Sequence, residues 1–146
     1  MDVPNHPDAL IITDAAVNIA PTLDDKVDIV QNAIDLAHAM GVAEVRVAIL
    51  SAMETVTAKV PSTVEAAALC KMADRGQITG ALLEGPLALD NPISPEAAAI
   101  KKIAPPVAGH ANVLVVPDLG ATRLASCAVA VMVAAARRRS APASIF

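Results

Sequence analysis

Short runs of apolar residues alternate along this chain with longer stretches whose apolar residues recur every three or four positions. Runs of the first kind are typical of buried strands, and stretches of the second kind are typical of amphipathic helices. The pattern predicts four strands, at residues 9–13, 45–50, 80–83 and 113–116. Because strands and helices alternate throughout, we expect an α/β fold in which a mostly parallel sheet lies between helices.

Residues that commonly flank helices indicate where the helices end. Thr22, Ser62 and Ser94 each precede a helical stretch, a position where a side-chain oxygen caps free backbone N–H groups. Glu65 follows Ser62 with the spacing of a capping box, and Pro95 follows Ser94 at the favoured first helical position. The predicted helices cover residues 23–40, 63–76, 95–102 and 124–137.

Polar side chains collect where the second and third predicted strands end. In a parallel sheet, the loops that leave the carboxyl ends of the strands are where ligands bind. Hydroxyls and an ammonium group on the first loop can hold a phosphate or pyrophosphate, or can make local backbone bonds in a solvated connection. An acid and an amide on the second loop can contact a ligand, or can form only an Asx-type turn. The candidate ligand contacts are Ser51, Thr55, Lys59, Asp90 and Asn91.

Five segments, in order along the chain, resemble the second domain of the phosphate acetyl/butyryltransferase family. They are ITDAAVNIAPTLDDKVDIVQNAIDLA from Ile12, LSAMETV from Leu50, AAALCKMADRGQITG from Ala66, EGPLALDNPIS from Glu84 and VAGHANVLVVPDL from Val107. The resemblance therefore covers nearly the whole chain as far as the end of VVPDL. It implies the three-layer α-β-α fold that the family shares with isocitrate and isopropylmalate dehydrogenases, here in partial form.

Two parts of the family pattern are missing from this sequence. The resemblance implies a first domain ahead of the segment that opens this chain. It also implies, after VVPDL, a helix, a glycine-containing strand and a T-S-R-A-D-S-like loop that supplies the catalytic serine, arginine and aspartate. Here Leu119 is followed by Gly120 and Ala121 and then by a stretch that resembles the family's terminal helix. We therefore assign no catalytic residue, and we predict an internal deletion between a second-domain-like segment and a fused terminal helix, at residues 1–119 and 120–146.

Individual positions within the resembling segments also depart from the family or have a structural interpretation. Glu84 stands where the family usually has aspartate, and the extra methylene changes the reach of the carboxylate. Asp14 and Asn18 belong to the family-like TDAAVNI, and we expect Asp14 to cap or orient the first loop instead of touching a ligand.

The resemblance implies acyl transfer between acyl-CoA and inorganic phosphate, with coenzyme A as a substrate and no cofactor. The expected partners are acyl-CoA and phosphate or acyl phosphate, and we expect this fragment to be inactive or nearly so. The alternatives are a non-catalytic acyl-CoA-binding or oligomerisation module, resembling the transferase-like domain fused to some malic enzymes, and a decayed fragment without function. Loss of neighbouring elements uncovers apolar faces and strand edges, which predicts a homo-oligomer.

Charge and composition argue against nucleic-acid binding, and the spacing of the histidines argues against a metal site. The formal net charge is −4, and the chain has one Phe and no Trp or Tyr on which bases could stack. The basic cluster at residues 137–139 lies at the end of a predicted helix, where cations are favourable. His6, His38 and His110 lack the spacing of metal ligands, so we predict no metal site.

The remaining signals concern compartment. Cys70 and Cys127 fall within helical patterns and are typical of small core residues, and one pair gives no disulfide framework. The first residues lack the basic and apolar regions of a signal peptide. The longest apolar run, residues 124–136, is too short and too rich in alanine for a membrane span. We therefore expect a cytoplasmic protein with no membrane partner.

Overall fold

The computed structural model describes residues 10–14, 17–104 and 106–140, with side chains as far as Val129. The start of the first predicted strand at Ala9, His6 and the side chains of residues 137–139 lie outside the described part. The strands are Ile11–Thr13 (β1), Val45–Leu50 (β2), Ala81–Leu87 (β3) and Val113–Val115 (β4). The helices are Leu23–Ala39 (α1), Pro61–Asp74 (α2), Asp90–Ile93 (α3), Pro95–Ile100 (α4) and Leu119–Ser140 (α5).

The four strands form one parallel sheet in the order β1-β4-β2-β3. The last strand along the chain thus lies inside the sheet, between the first and the second. This arrangement confirms the predicted α/β fold with a parallel sheet. The carboxyl ends of all four strands lie at the same edge, which we call the carboxyl edge.

Helices cover both faces of the sheet, so the fold has three layers. On one face α1 and α2 pack against β2 and β4, with Ile34 and Leu69 wholly buried between them. On the other face α5 packs Val129 against Leu114, together with the segment that joins β3 to β4. Because successive side chains of a strand point to opposite faces, Val113 and Leu114 belong to different cores. Among the described residues, no helix is both long enough and apolar enough to cross a membrane.

Two of the three predicted helix caps are confirmed. Thr22 caps α1, where its hydroxyl accepts a bond from the Asp25 N–H and the Asp25 carboxylate accepts one from the Thr22 N–H. The Thr22 hydroxyl and the Thr22 N–H both donate to the Asp25 carboxylate, which lowers the pKa of Asp25. Ser94 caps α4, where its hydroxyl accepts a bond from the Ala97 N–H.

The predicted capping box of Ser62 and Glu65 is wrong. The helix α2 begins at Pro61, and no side chain caps it. Proline at the first helical position has no N–H to satisfy, which lets the helix begin without a cap. The Ser62 hydroxyl instead lies 2.8 Å from the Ser51 hydroxyl, across the loop that follows β2.

The third strand is longer than predicted. The sequence prediction ends this strand at Leu83, but β3 continues through Gly85 and Pro86 to Leu87. Proline is tolerated because β3 is an edge strand of the described sheet and its register against β2 shifts at this point. Glycine is required by close approach, since a Cβ at Gly85 would lie 2.8 Å from the Cβ and the carbonyl oxygen of Ile49. Glu84 therefore belongs to the strand and not to the loop after it.

The last helix begins five residues before the predicted start at Leu124. Asp118 explains the difference, because its carboxylate accepts a bond of 2.8 Å from the Ala121 N–H and ends the loop after β4. The Thr122 hydroxyl donates to the Asp14 carbonyl at 2.9 Å and fixes α5 beside β1. The helix runs without interruption through Gly120, where we predict the deletion. The deletion itself stays a prediction.

Candidate functional site

Neighbouring strands send their connections to opposite faces of the sheet, which opens crevices at the carboxyl edge. The chain leaves β2 toward α2 on one face, and it leaves β4 toward α5 and β3 toward α3 on the other. Such reversals are where parallel sheets bind ligands. We call the gap between the ends of β4 and β2 the central crevice. We call the place where the loops after β2 and β3 meet the outer crevice.

The outer crevice is filled by charged side chains of the chain itself. Lys101, at the end of α4, places its ammonium nitrogen 2.7 Å from the Glu54 carboxylate and 3.3 Å from the Asp90 carboxylate. The Asn91 side-chain amide donates a hydrogen bond to the same Glu54. We call these four residues the Lys101 cluster. It ties the loop after β2 to the segment after β3.

Contacts within the Lys101 cluster shift the pKa values of Glu54 and Lys101. The hydrogen bond from Lys101 lowers the pKa of Glu54, although burial opposes the shift. The same bond to Glu54 raises the pKa of Lys101. Both groups are therefore charged at neutral pH, and the ammonium is already paired with carboxylates. A phosphate would have to displace these carboxylates to bind Lys101.

Asn91 is part of the interior. Its side chain is wholly buried, and its carbonyl oxygen accepts a bond of 2.7 Å from the Gly109 N–H. Its side-chain oxygen lacks a hydrogen-bond partner among the described residues, a common place for an ordered water. The visible contacts of Asn91 position Glu54 and the backbone after β3.

The central crevice holds an open groove of about 440 Å³, which we call the apolar groove. Its polar lining includes the Ser51 and Ser62 hydroxyls, which lie 2.8 Å apart at the end of β2 and in the first turn of α2. In the part of the chain that the structure describes, Asp118 is the one ionisable side chain of this lining, and its carboxylate caps α5. The remaining lining residues are Leu50, Ala52, Leu89, Pro117, Ala121, Leu124 and Ala125.

A buried ion pair lies next to the groove. Lys26 of α1 is 5% exposed and pairs with Glu65 of α2, whose side chain is one third exposed. Together with Ser62 and Pro117 they line a small cavity under the ends of β2 and β4. The pair joins the two helices that cover one face of the sheet.

Two further groups near the sheet are partly buried and carry shifted pKa values. Burial raises the pKa of Glu84, although a bond from the Ala108 N–H partly offsets it. Burial also raises the pKa of the Cys70 thiol to about 12, with the Glu84 carboxylate adding to the shift. A thiol with this pKa is protonated at neutral pH and is a poor nucleophile. Cys70 is therefore a structural residue.

Asp14 orients the loop after β1, as expected from the sequence. Its carboxylate accepts bonds from the backbone N–H groups of Val17 and Asn18 and from the Asn18 side-chain amide. No cluster of three or more residues suited to bind a metal ion occurs in the part of the chain that the structure describes.

Comparison with known proteins identifies the family. Residues 1–137 match the phosphate acetyl/butaryl transferase family. The chain belongs to this family. It is 56% identical to the phosphate acetyltransferase of Rhizobium meliloti over 182 aligned positions, which cover 99% of this chain and 58% of that protein. It is 49% identical to the probable phosphate butyryltransferase of Bacillus subtilis over 120 residues, covering 82% and 40%.

Solved structures of phosphotransacylases have the same fold. A branched-chain phosphotransacylase from Enterococcus faecalis superposes with a TM-score of 0.76 at 35% identity, covering 84% of this chain and 44% of that one. A phosphotransacetylase from Streptococcus pyogenes gives a TM-score of 0.66 at 29% identity, covering 80% and 35%.

The chain spans only part of the length of the curated relatives that it matches. The chain spans 58% of the Rhizobium meliloti protein and 34% of the Rickettsia prowazekii phosphate acetyltransferase, to which it is 62% identical. The alignment with the Rhizobium protein runs over 182 positions, whereas this chain has 146 residues, so at least 36 aligned positions have no residue here. The internal deletion near Gly120 stays a prediction.

The predicted ligand contacts separate into three environments. Ser51 lines the apolar groove, whereas Asp90 and the buried Asn91 belong to the Lys101 cluster. Thr55 and Lys59 lie exposed on the loop after β2. The structure thus brings these residues to one edge of the sheet but not into one cluster, and their contact with ligand stays a prediction.

Four residues with clear positions at this edge were missed as site candidates. Ser62 was assigned to a helix cap and Asp118 to a loop, although Pro117-Asp118 before an alanine-rich stretch is a usable helix-start signal. Glu54 and Lys101 are 47 positions apart in sequence, so no local pattern relates them.

Proposed function

We propose that this chain is the substrate-binding part of a phosphate acyltransferase and that acyl-CoA and phosphate or acyl phosphate bind at the carboxyl edge. The family match over residues 1–137, which includes every element around the two crevices, carries this proposal. In such a transfer the CoA thiolate attacks the acyl carbonyl carbon. A carbon–sulfur bond forms, and phosphate leaves with the electrons of the broken carbon–oxygen bond. Groups that stabilise the developing oxyanion supply much of the rate.

We propose further that the isolated chain is inactive or nearly so. The resemblance implies, after VVPDL, a helix, a strand and then a loop with serine, arginine and aspartate, whereas here α5 runs from Leu119 to Ser140. Loss of several groups that act together commonly removes most of an enzyme's rate. The test is CoA-dependent release of phosphate from acetyl phosphate. A turnover of about 1 per second or more would contradict the proposal.

Lys59 is the proposed contact for the phosphate groups of these ligands. Its side chain is exposed, and no described ion pair involves it. It lies on the loop that leaves β2, whereas Lys101 at the same edge is already paired with two carboxylates. Because the surroundings are open to water, we expect CoA to bind weakly, with a Kd on the order of a millimolar.

The contribution of Lys59 is measurable by titrating CoA while following amide chemical shifts. We expect Lys59→Ala to weaken binding more than Thr57→Ala on the same loop. Lys71→Ala is the charge-matched control, because Lys71 pairs with Asp74 in the last turn of α2, away from the carboxyl edge. Equal affinities in the Lys59 and Lys71 variants would exclude Lys59 as a phosphate contact.

A non-catalytic oligomerisation module is the second candidate function. Within the described sheet β1 pairs with β4 on one side only, and the neighbouring Val17 and Ile19 are 86% and 77% exposed. An open strand edge beside exposed apolar side chains favours association with a second copy of this chain. Light scattering at tens of micromolar tests this, and a clean monomer would reject it.

A further inference from the structure

We propose that the apolar groove binds the uncharged pantetheine arm of CoA, with its short acyl group, and not the phosphate-bearing end. The inference rests on the proposed function and assigns one part of the substrate to one part of the carboxyl edge. Three properties of the groove carry it: its place in the sheet, its charge and its unused hydroxyl groups.

The groove lies in the central crevice, between two strands whose connections depart to opposite faces. The segments that follow these two strands both line the groove, since Ser51 follows β2 and Pro117 follows β4. Crevices of this type are the usual ligand sites of parallel sheets. A volume of about 440 Å³ is within the range of small-molecule sites. The groove is thus large enough for a slender chain of methylenes and amides.

The charge of the lining excludes the other end of CoA. Asp118 is the one ionisable group among the described lining residues, and its carboxylate already accepts a bond from the Ala121 N–H. A phosphate placed in the groove would meet this negative charge, and no cation among the described lining residues would offset it. Leu50, Leu89 and Leu124 instead offer apolar walls to methylene groups.

The two hydroxyls in the lining, of Ser51 and Ser62, can form hydrogen bonds with an amide group of a ligand. Ser51 and Ser62 share one hydrogen bond, so one of the two hydroxyls donates to the other and the second hydrogen is left over. No other described hydrogen bond uses either hydroxyl oxygen. The pair can therefore donate to an amide carbonyl and accept from an amide N–H. The pantetheine arm carries two such amides along an otherwise apolar chain.

The rim of the groove has an exposed side chain that a ligand would cover. Leu124, on α5, is 75% exposed and lines the groove together with Leu89. A methylene chain in the groove would remove part of this apolar surface from water. Weak binding is expected all the same, because the groove is open to solvent.

The experiment titrates three probes into the intact chain and follows amide chemical shifts. The probes are S-acetylpantetheine, CoA and adenosine 3′,5′-bisphosphate. We expect S-acetylpantetheine and CoA to shift Ala52, Leu89 and Leu124, and the bisphosphate to leave these residues unchanged. Groove shifts caused by the bisphosphate alone would overturn the inference.

A variant that fills the groove provides the matched test. Ala121→Met places a larger side chain in the lining, and we expect it to weaken S-acetylpantetheine by about tenfold or more. Cys127→Met enlarges an exposed residue of the same helix outside the lining and serves as the control. Should Ala121→Met fail to fold, Leu124→Glu introduces a charge at the exposed rim, with the same expected loss. Unchanged affinity in the groove variant that folds overturns the inference.

The outcomes separate this inference from the proposed function. If CoA binds and S-acetylpantetheine does not, the groove assignment fails and the proposed function stands. If none of the three probes binds at the carboxyl edge, both fail. If S-acetylpantetheine binds in the groove and Lys59→Ala weakens CoA alone, the two parts of the substrate are assigned to separate contacts.

Discussion

The two crevices share the loop that follows β2 but are filled in opposite ways. In the outer crevice, Lys101 pairs with Glu54 and Asp90, so its ammonium is already held by two carboxylates of the chain. In the central crevice, apolar walls surround a pair of hydroxyls, and the space is open. The most charged part of the edge is therefore closed by its own ion pairs. The part best suited to a ligand is the one with least charge.

The supports of the two crevices differ as well. The central crevice rests on the buried pair of Lys26 and Glu65, which joins α1 to α2. The outer crevice is held by Lys101, whose side chain is more than one third exposed. Buried pairs are costly to break because a charge is left without water or partner, whereas exposed pairs contribute little. We therefore expect the central crevice to be the stiffer of the two.

The largest expected effect comes from removing Lys26. We expect Lys26→Ala to lower the free energy of unfolding by about 2 kcal/mol, less than for a fully buried pair because Glu65 is partly exposed. Urea unfolding followed by circular dichroism measures the loss. Lys26→Met combined with Glu65→Gln keeps the packing without either charge and should restore most of it. If Lys26→Ala lowers the free energy of unfolding no more than Lys71→Ala does, the buried Lys26–Glu65 pair is no stronger a support than an exposed ion pair, which contradicts the prediction.

Removing Lys101 should loosen the outer crevice alone. We expect Lys101→Ala to speed amide hydrogen exchange at Met53 and in α3 by roughly two- to fivefold, since an exposed pair contributes little. Exchange at Ser62, beside the central crevice, should be unchanged. Lys71→Ala is the control for loss of one exposed ammonium. Faster exchange at both crevices would show that they open together.

The smallest expected effect is a dependence of stability on pH. Because the pKa of Glu54 is lowered in the folded state, its contribution is present above the pKa of the unfolded chain and is lost as the pH falls through the folded value. The window lies below about pH 4.3. The raised pKa of Glu84 acts in the opposite direction, since folding favours its protonated form and stability falls as the pH rises through the folded value.

Two conservative variants separate these opposed titrations. We expect the difference in stability between the parent chain and Glu54→Gln to shrink as the pH falls below about 4.3. For Glu84→Gln we expect a gain in stability at neutral pH that disappears in acid. Urea midpoints between about pH 3 and 7 measure both. A Glu54→Gln difference that is constant over this range would remove Glu54 from the support of the outer crevice.

Strong local signals made part of the fold predictable from the sequence. The strand Val45–Leu50 and the cap at Thr22 were placed correctly, because a mostly apolar run and a threonine before an acidic first turn are local patterns. The end of β3 was missed because Gly85-Pro86 usually stops a strand, and only the sheet order shows that β3 is at an edge. The four-residue helix α3 is too short to leave a periodic pattern.

The site was less predictable than the fold. The sequence located the carboxyl edge correctly, since strand order is not needed to know where strands end. It did not show that Lys101 reaches Glu54, because that contact joins elements far apart in the chain. It did not show the apolar groove either, because leucine and alanine there look like ordinary core residues until the packing of α5 is known.

The position of β4 inside the sheet has a consequence for the order of events during synthesis. Within the described sheet, β1 has β4 as its one partner, and Ile11 pairs with Val113, 102 positions later. The elements β2, α2 and β3 are consecutive in the sequence and can assemble early, whereas pairings between distant segments form slowly. The ribosome therefore releases β1 long before its partner exists. The strand β4 emerges last and takes its place inside the described sheet. Until it has been synthesised, β1 lacks its partner in that sheet.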